Sequence, residues 1–165
     1  MKKVLIYGAY GYTGKLIVNE ALAKDIKPTV AGRNQKAVKE LGEQKQLPYL
    51  SFSIDDKSAL INALKEHDIV IHCAGPFIHT AKQMAEACVE TSTHYLDITG
   101  EYQVFELLKS MSSLAEKASI MLLPGAGFDV VPSDCLAAHL KSKLPDAESL
   151  TLAFTGLGAR LSRGT

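Results

Sequence analysis

The sequence predicts an α/β protein: an open, doubly wound, mostly parallel sheet of six strands with helices on both faces. Three observations predict it. Short apolar runs alternate with amphipathic stretches about six times along the chain. The run Ile69-Val70-Ile71 has no polar position, as expected of a parallel strand covered on both faces. The 165 residues also fall short of the roughly 200 or more that a closed eight-fold barrel requires, which leaves the open sheet.

The elements follow in order. Val4 to Tyr7 is an apolar strand that stops at Gly8. Tyr12 to Lys24 has Leu16, Ile17, Ala21 and Leu22 at helical spacing. Pro28 to Gly32 is a short uncharged strand, and Gln35 to Gln46 a helix with Ala37, Val38 and Leu41 on one face. Tyr49 to Ile54 reads as the third strand, and Asp55 or Asp56 can cap a helix over Lys57 to Glu66. Asp68 to Cys73 is the fourth strand, ended by Gly75-Pro76 and followed by a helix from Thr80 to Glu90. His94 to Ile98 is the fifth strand. Glu101 to Lys117 reads as one long helix with Val104, Leu107, Leu108, Met111 and Leu114 along a stripe. Ile120 to Leu123 is the sixth strand, stopped by Pro124-Gly125, and Pro132 to Lys143 a helix with proline in its first turn. After Pro145 the rhythm changes: a strand-like run from Leu150 to Thr155 leads into a glycine-rich stretch. Residues 1–145 therefore read as one domain, and 146–165 as the beginning of a second unit whose remainder is absent.

Composition narrows the partners. Hydrophobic residues make up 47% of the chain, and 18 basic residues balance 18 acidic ones. Without net charge or a basic cluster, nucleic acid and anionic membrane are poor partners, and a small molecule is the expected ligand. Cys73, Cys88 and Cys135 are widely spaced and read as reduced, buried thiols of a cytoplasmic protein. The apolar run after Lys3 breaks at Gly8, too soon for a signal sequence or membrane span. No histidine pair has metal-ligand spacing with a third ligand nearby.

The chemistry centres on Gly8-Ala9-Tyr10-Gly11-Tyr12-Thr13-Gly14. A strand enters this turn and a helix leaves it, so bare backbone and a helix N-terminus face the same point, an arrangement suited to the pyrophosphate of a dinucleotide. All seven residues are candidate cofactor contacts, and the expected architecture is the Rossmann fold. An NAD site calls for an acid at the end of the second strand; this chain has Ala31-Gly32-Arg33-Asn34. Arg33 can pair with a 2′-phosphate, and Asn34 can add a donor, which favours NADP(H) over NAD(H). Asp55, after the third strand, is placed for the adenine amino group or for a helix cap. Cys73-Ala74-Gly75-Pro76-Phe77 ends the fourth strand, where small residues admit the nicotinamide ribose and Phe77 can wall the ring. Asp97, Thr99 and Glu101 gather at the next strand end, with Thr99 as a helix cap and Glu101 as a first-turn acid. Asp129 could orient the nicotinamide amide or a substrate. His72 falls within a buried strand, whereas His79 lies near the expected nicotinamide position as a candidate acid. No tyrosine has lysine four residues later, so the catalytic pair of short-chain dehydrogenases is missing, and so is the G-x-S-x-G elbow of α/β-hydrolases. No residue is assigned a catalytic role.

Five ordered blocks carry a resemblance: Gly8 to Gly14, Ala31-Gly32-Arg33, Cys73 to Phe77, Tyr95 to Glu101, and Gly125 to Asp134. Residues 3 to about 140 resemble the cofactor domain of the saccharopine dehydrogenase-like oxidoreductases, and the blocks around Glu101 and Asp134 look most like the branch with the trans-acting enoyl reductases. His72 departs from the pattern, where the family more often has asparagine. The resemblance implies an NADP-dependent oxidoreductase in which a second α/β domain recognises substrate and forms a homodimer. The expected activity is hydride transfer to or from a C=C or C=N bond in the full-length protein, the isolated domain being inactive. The alternative is a dinucleotide-responsive binding module without turnover.

Overall fold

The computed structural model describes residues 2–128 and 130–153. Its elements are β1 (Val4–Tyr7), α1 (Tyr12–Ala23), β2 (Thr29–Gly32), α2 (Gln35–Lys45), β3 (Tyr49–Ser51), α3 (Lys57–Lys65), β4 (Ile69–His72), α4 (Phe77–Thr91), β5 (His94–Asp97), α5 (Tyr102–Ser110), α6 (Ser112–Ala118), β6 (Leu122–Leu123) and α7 (Val131–Lys143). The six strands form one sheet in the order β3-β2-β1-β4-β5-β6, with every neighbouring pair parallel.

Alternation along β1 divides the interior into two cores. Leu5 and Tyr7 point to one face, where they meet Leu60 and Leu64 of α3, Met84 and Cys88 of α4, and Val104 and Leu108 of α5. Ile6 points to the other, with Val18 of α1, Val30 of β2, and Val38 and Leu41 of α2. The chain thus winds one way from β1 to β3 and the other way from β4 to β6. A crevice opens between the carboxyl ends of β1 and β4, where the winding reverses.

Several elements differ from expectation. α1 buries Gly14 and Val18 and packs Ile17 and Leu22 of the expected stripe beside them, while Leu16 is exposed. β3 stops at Ser51, which releases Ser53, Ile54 and Asp55 into a loop at the crevice. α4 begins at Phe77, three residues before the expected start. The single helix expected over Glu101 to Lys117 is two, broken at Met111, and Leu114 is exposed. The three cysteines are free, but of the three expected to be buried only Cys88 is; Cys73 is half-buried and Cys135 exposed. No strand forms over residues 150–153, and the rest of the run expected to be a strand lies outside the described residues. No described helix is long and apolar enough to cross a membrane.

Candidate functional site

The crevice is a cleft of about 650 Å³. Its floor is the turn after β1, where three glycines act through backbone geometry. Gly8 adopts φ +80°, and a Cβ there would stand 2.9 Å from the backbone of Cys73 and Ala74 on β4's exit loop. A Cβ on Gly14 would stand 2.4 Å from the Gly8 carbonyl oxygen and 2.8 Å from Ala9 Cα. The turn therefore closes on itself and on β4 only with glycine at these positions. Gly11 is the N-cap residue of α1, and no side chain caps that helix. Its first-turn N–H groups and the positive end of its dipole are left for a ligand.

The N-terminus of α4 is closed. Glu101 Oε1 accepts from Phe77 N–H and Oε2 from Ile78 N–H, both at 2.7 Å. Of the two helix starts beside the switch point, α1 can receive an anion and α4 already holds a carboxylate. Glu101 was expected in a helix first turn; it is the N-cap residue of α5, with its own N–H donating to Thr99 Oγ1, while its side chain caps α4 instead.

The end of β2 supplies the positive wall. Arg33 is exposed on the cleft, and no carboxylate pairs with it among the described residues. Tyr10 lies over Gly32, where a Cβ would come within 2.4 Å of its ring. Asp55 lines the opposite stretch of loop and accepts from Ser53 Oγ at 3.0 Å. Asp56, not Asp55, caps α3. Asn34 does not line the cleft; its Oδ1 caps α2 by accepting from Ala37 N–H.

The exit of β4 forms the remaining wall: Cys73, Ala74, Gly75, Pro76 and Phe77, with His79 and Thr80 beyond. Burial, helped by the nearby Asp97 charge, pushes the Cys73 thiol up to about 12, so it stays protonated and is not a nucleophile. His72 sits directly beneath, fully buried, and burial pulls its imidazole down to about 3. Its Nε2 meets Thr80 Oγ1 at 2.9 Å, and Nδ1 has no partner. Thr80 in turn donates to the Ala74 carbonyl at 2.9 Å, holding the exit loop against α4. Buried Asp97 joins the last two strand ends by accepting from Tyr95 Oη, Thr99 N–H and Gly125 N–H. Burial raises its carboxyl above the usual range, against the pull of those three donors.

Among the expected site residues, the cleft brings together Gly8, Tyr10, Gly11, Tyr12, Thr13, Arg33, Asp55 and the run from Cys73 to Phe77. Ala9 and Gly14 are buried beneath it as packing for the turn. Asp129 lies outside the described residues. Sequence reasoning missed Tyr7, Gly32, Ser53, Ile54, Thr80 and Ile98 as lining residues. Of these only Gly32 carried a signal, as a small residue at a strand end. No group of three metal-ligating side chains occurs among the described residues.

These residues fit a dinucleotide: a glycine cradle that a Cβ would fill, an uncapped helix start and an unpaired guanidinium share one cleft. The family model for the saccharopine dehydrogenase NADP-binding domain matches residues 4–123. A saccharopine dehydrogenase-like oxidoreductase of Bos taurus is 26% identical over 162 residues, covering 86% of this chain and 38% of the relative. A Mycobacterium tuberculosis protein named as a trans-acting enoyl reductase is 31% identical over 140 residues, covering 79% of this chain and 33% of that protein. The apo saccharopine dehydrogenase (L-Glu forming) of Saccharomyces cerevisiae superposes with a TM-score of 0.76 at 22% identity, over 88% of this chain and 32% of its own. The chain thus spans less than two-fifths of the length of these relatives. By the match over residues 4–123, on a fold and cleft of the same kind, the chain belongs to the saccharopine dehydrogenase NADP-binding domain family, whose cofactor is NADP(H).

Proposed function

We propose that the cleft at the carboxyl ends of β1 and β4 holds NADP(H) and that, in the whole protein, this domain serves hydride transfer to or from a C=C or C=N bond. The observation that carries the reading is the contrast between the two helix starts: α1 is uncapped above a glycine cradle, and α4 is sealed by Glu101. On this reading Gly8 to Gly14 hold the pyrophosphate, Arg33 the 2′-phosphate, and the loop from Cys73 to Phe77 borders the nicotinamide end. When bound, the cofactor supplies or accepts the hydride. The chain's own part is to bind and orient. Its thiol at Cys73 is protonated and its imidazole at His72 is neutral and buried, so neither moves a proton at neutral pH. His79 is the exposed titratable side chain of the exit wall and is the candidate donor for a substrate.

Residues 146–165 belong, on this proposal, to a second unit that recognises substrate and forms the dimer. In support, α7 alone of the described helices buries no residue, and Leu136 and Leu140 stand exposed on it. Titration of the chain with NADPH and NADH, followed by nicotinamide fluorescence, tests the cofactor reading. Binding of NADPH is expected, and absence of binding to both would remove it.

A further inference from the structure

We propose that Tyr10 is a second determinant of NADP(H) over NAD(H), its phenol donating a hydrogen bond to the 2′-phosphate beside Arg33. The proposal rests on the reading of the cleft given above. Tyr10 leaves the glycine turn at the end of β1, yet its ring reaches across to the end of β2. Gly32 makes that reach possible: a Cβ there would stand 2.4 Å from Cε1 and 3.1 Å from Cδ1 of the ring. The ring therefore lies on bare backbone, and its oxygen arrives 3.3 Å from Asn34 N. Arg33 is the residue between these two anchors, and Tyr10 and Arg33 both line the cleft.

The hydroxyl of Tyr10 is left with a donor to offer. In the contact with Asn34 the backbone N–H is the donor and the phenol oxygen the acceptor. A phenol carries one hydrogen of its own. That hydrogen has no acceptor among the described residues. The Asn34 side chain is turned to α2, where its Oδ1 accepts from Ala37 N–H, and it makes no bond with the phenol. A phenol O–H without an acceptor, next to a guanidinium without a carboxylate partner among the described residues, at a strand end without an acidic residue, matches a phosphate monoester. Phosphate oxygens accept from hydroxyl and guanidinium together, whereas the 2′-hydroxyl of NAD(H) offers no charge to either. A short side chain at residue 10 could not span from β1 to β2; the tyrosine does so because residue 32 is glycine.

Tyr10→Phe tests this. It keeps the ring on Gly32 and removes only the hydroxyl. Dissociation constants for NADP+, NAD+, 2′,5′-ADP and 5′-AMP are measured by calorimetry on the 165-residue chain at fixed ionic strength. Loss of a charge-assisted hydrogen bond should weaken NADP+ and 2′,5′-ADP by about tenfold while NAD+ and 5′-AMP change less than about twofold. Unchanged NADP+ affinity in the variant, with the wild type still preferring NADP+, would overturn the role of Tyr10 and leave the cleft reading standing. Equal weakening of all four ligands would reduce Tyr10 to a packing residue and overturn it as well. A wild-type chain that binds neither dinucleotide would overturn the cleft reading and this proposal with it. As a second variant, Gly32→Ala should displace the ring and weaken NADP+, and adding Tyr10→Phe to it should cost no more. A full further loss in the double variant would contradict the arrangement.

Discussion

The carboxylate of Glu101 grips the backbone of Phe77. Its Oε1 accepts from Phe77 N–H at 2.7 Å while Oε2 takes the next N–H, that of Ile78, at 2.7 Å. One side chain thereby ties the end of β5 to the start of α4 and sets the wall on which Phe77 sits.

Glu101→Ala leaves two N–H groups at the α4 N-terminus without their carboxylate. A loss of about 1–3 kcal/mol in urea unfolding is expected, because hydrogen bonds to a charged acceptor are worth that much. The effect on ligands should be uneven. Affinity for NADP+ should fall several-fold, and affinity for 2′,5′-ADP, which lacks the nicotinamide half, should hold. Equal loss for both would argue that Glu101 only stabilises the fold.

The buried imidazole of His72 predicts a pH dependence. Folding holds it near 3, while the unfolded chain titrates near 6.5. Between those values the unfolded state binds a proton that the folded state refuses, so stability falls as pH drops through the window. The His72 contribution amounts to about 2 kcal/mol between pH 7 and pH 5. His72→Asn removes the titrating group, so its stability should change less than wild type over this interval. Parallel pH curves for the two proteins would contradict the assignment.

Gly14→Ala tests the cradle. The added methyl would meet the Gly8 carbonyl oxygen at 2.4 Å and Ala9 Cα at 2.8 Å, both backbone, so the turn itself must move. Destabilisation of about 2 kcal/mol or more is expected, with NADP(H) binding lost even where the fold survives. Thermal melts with and without ligand separate the two effects.

Much of this was legible in the sequence, and most of the exceptions are contacts between segments far apart in the chain. β1 begins and ends where its apolar run does, because a fully covered strand needs apolar residues at every position. The parallel, doubly wound sheet follows from the alternation of strands and helices and the glycine turn. α4 starts earlier than its local pattern because its cap, Glu101, lies 24 residues away. Likewise, the reach of Tyr10 to Gly32 and the joining of two strand ends by Asp97 are contacts between distant segments. The break at Met111 was hidden for a different reason: the apolar spacing runs on across it while the backbone turns. Local pattern exposes the strands and the cradle; the parts of the cleft made by side chains crossing between loops emerge only with the fold.

On the proposed function, the cleft reads the 2′-phosphate through Arg33. Titrating wild type and Arg33→Ala with NADPH and NADH at one ionic strength tests it most directly. Wild type should bind NADPH at least about tenfold more tightly than NADH, and Arg33→Ala should remove this preference by weakening NADPH alone. Equal affinities in wild type, unchanged by Arg33→Ala, would contradict it.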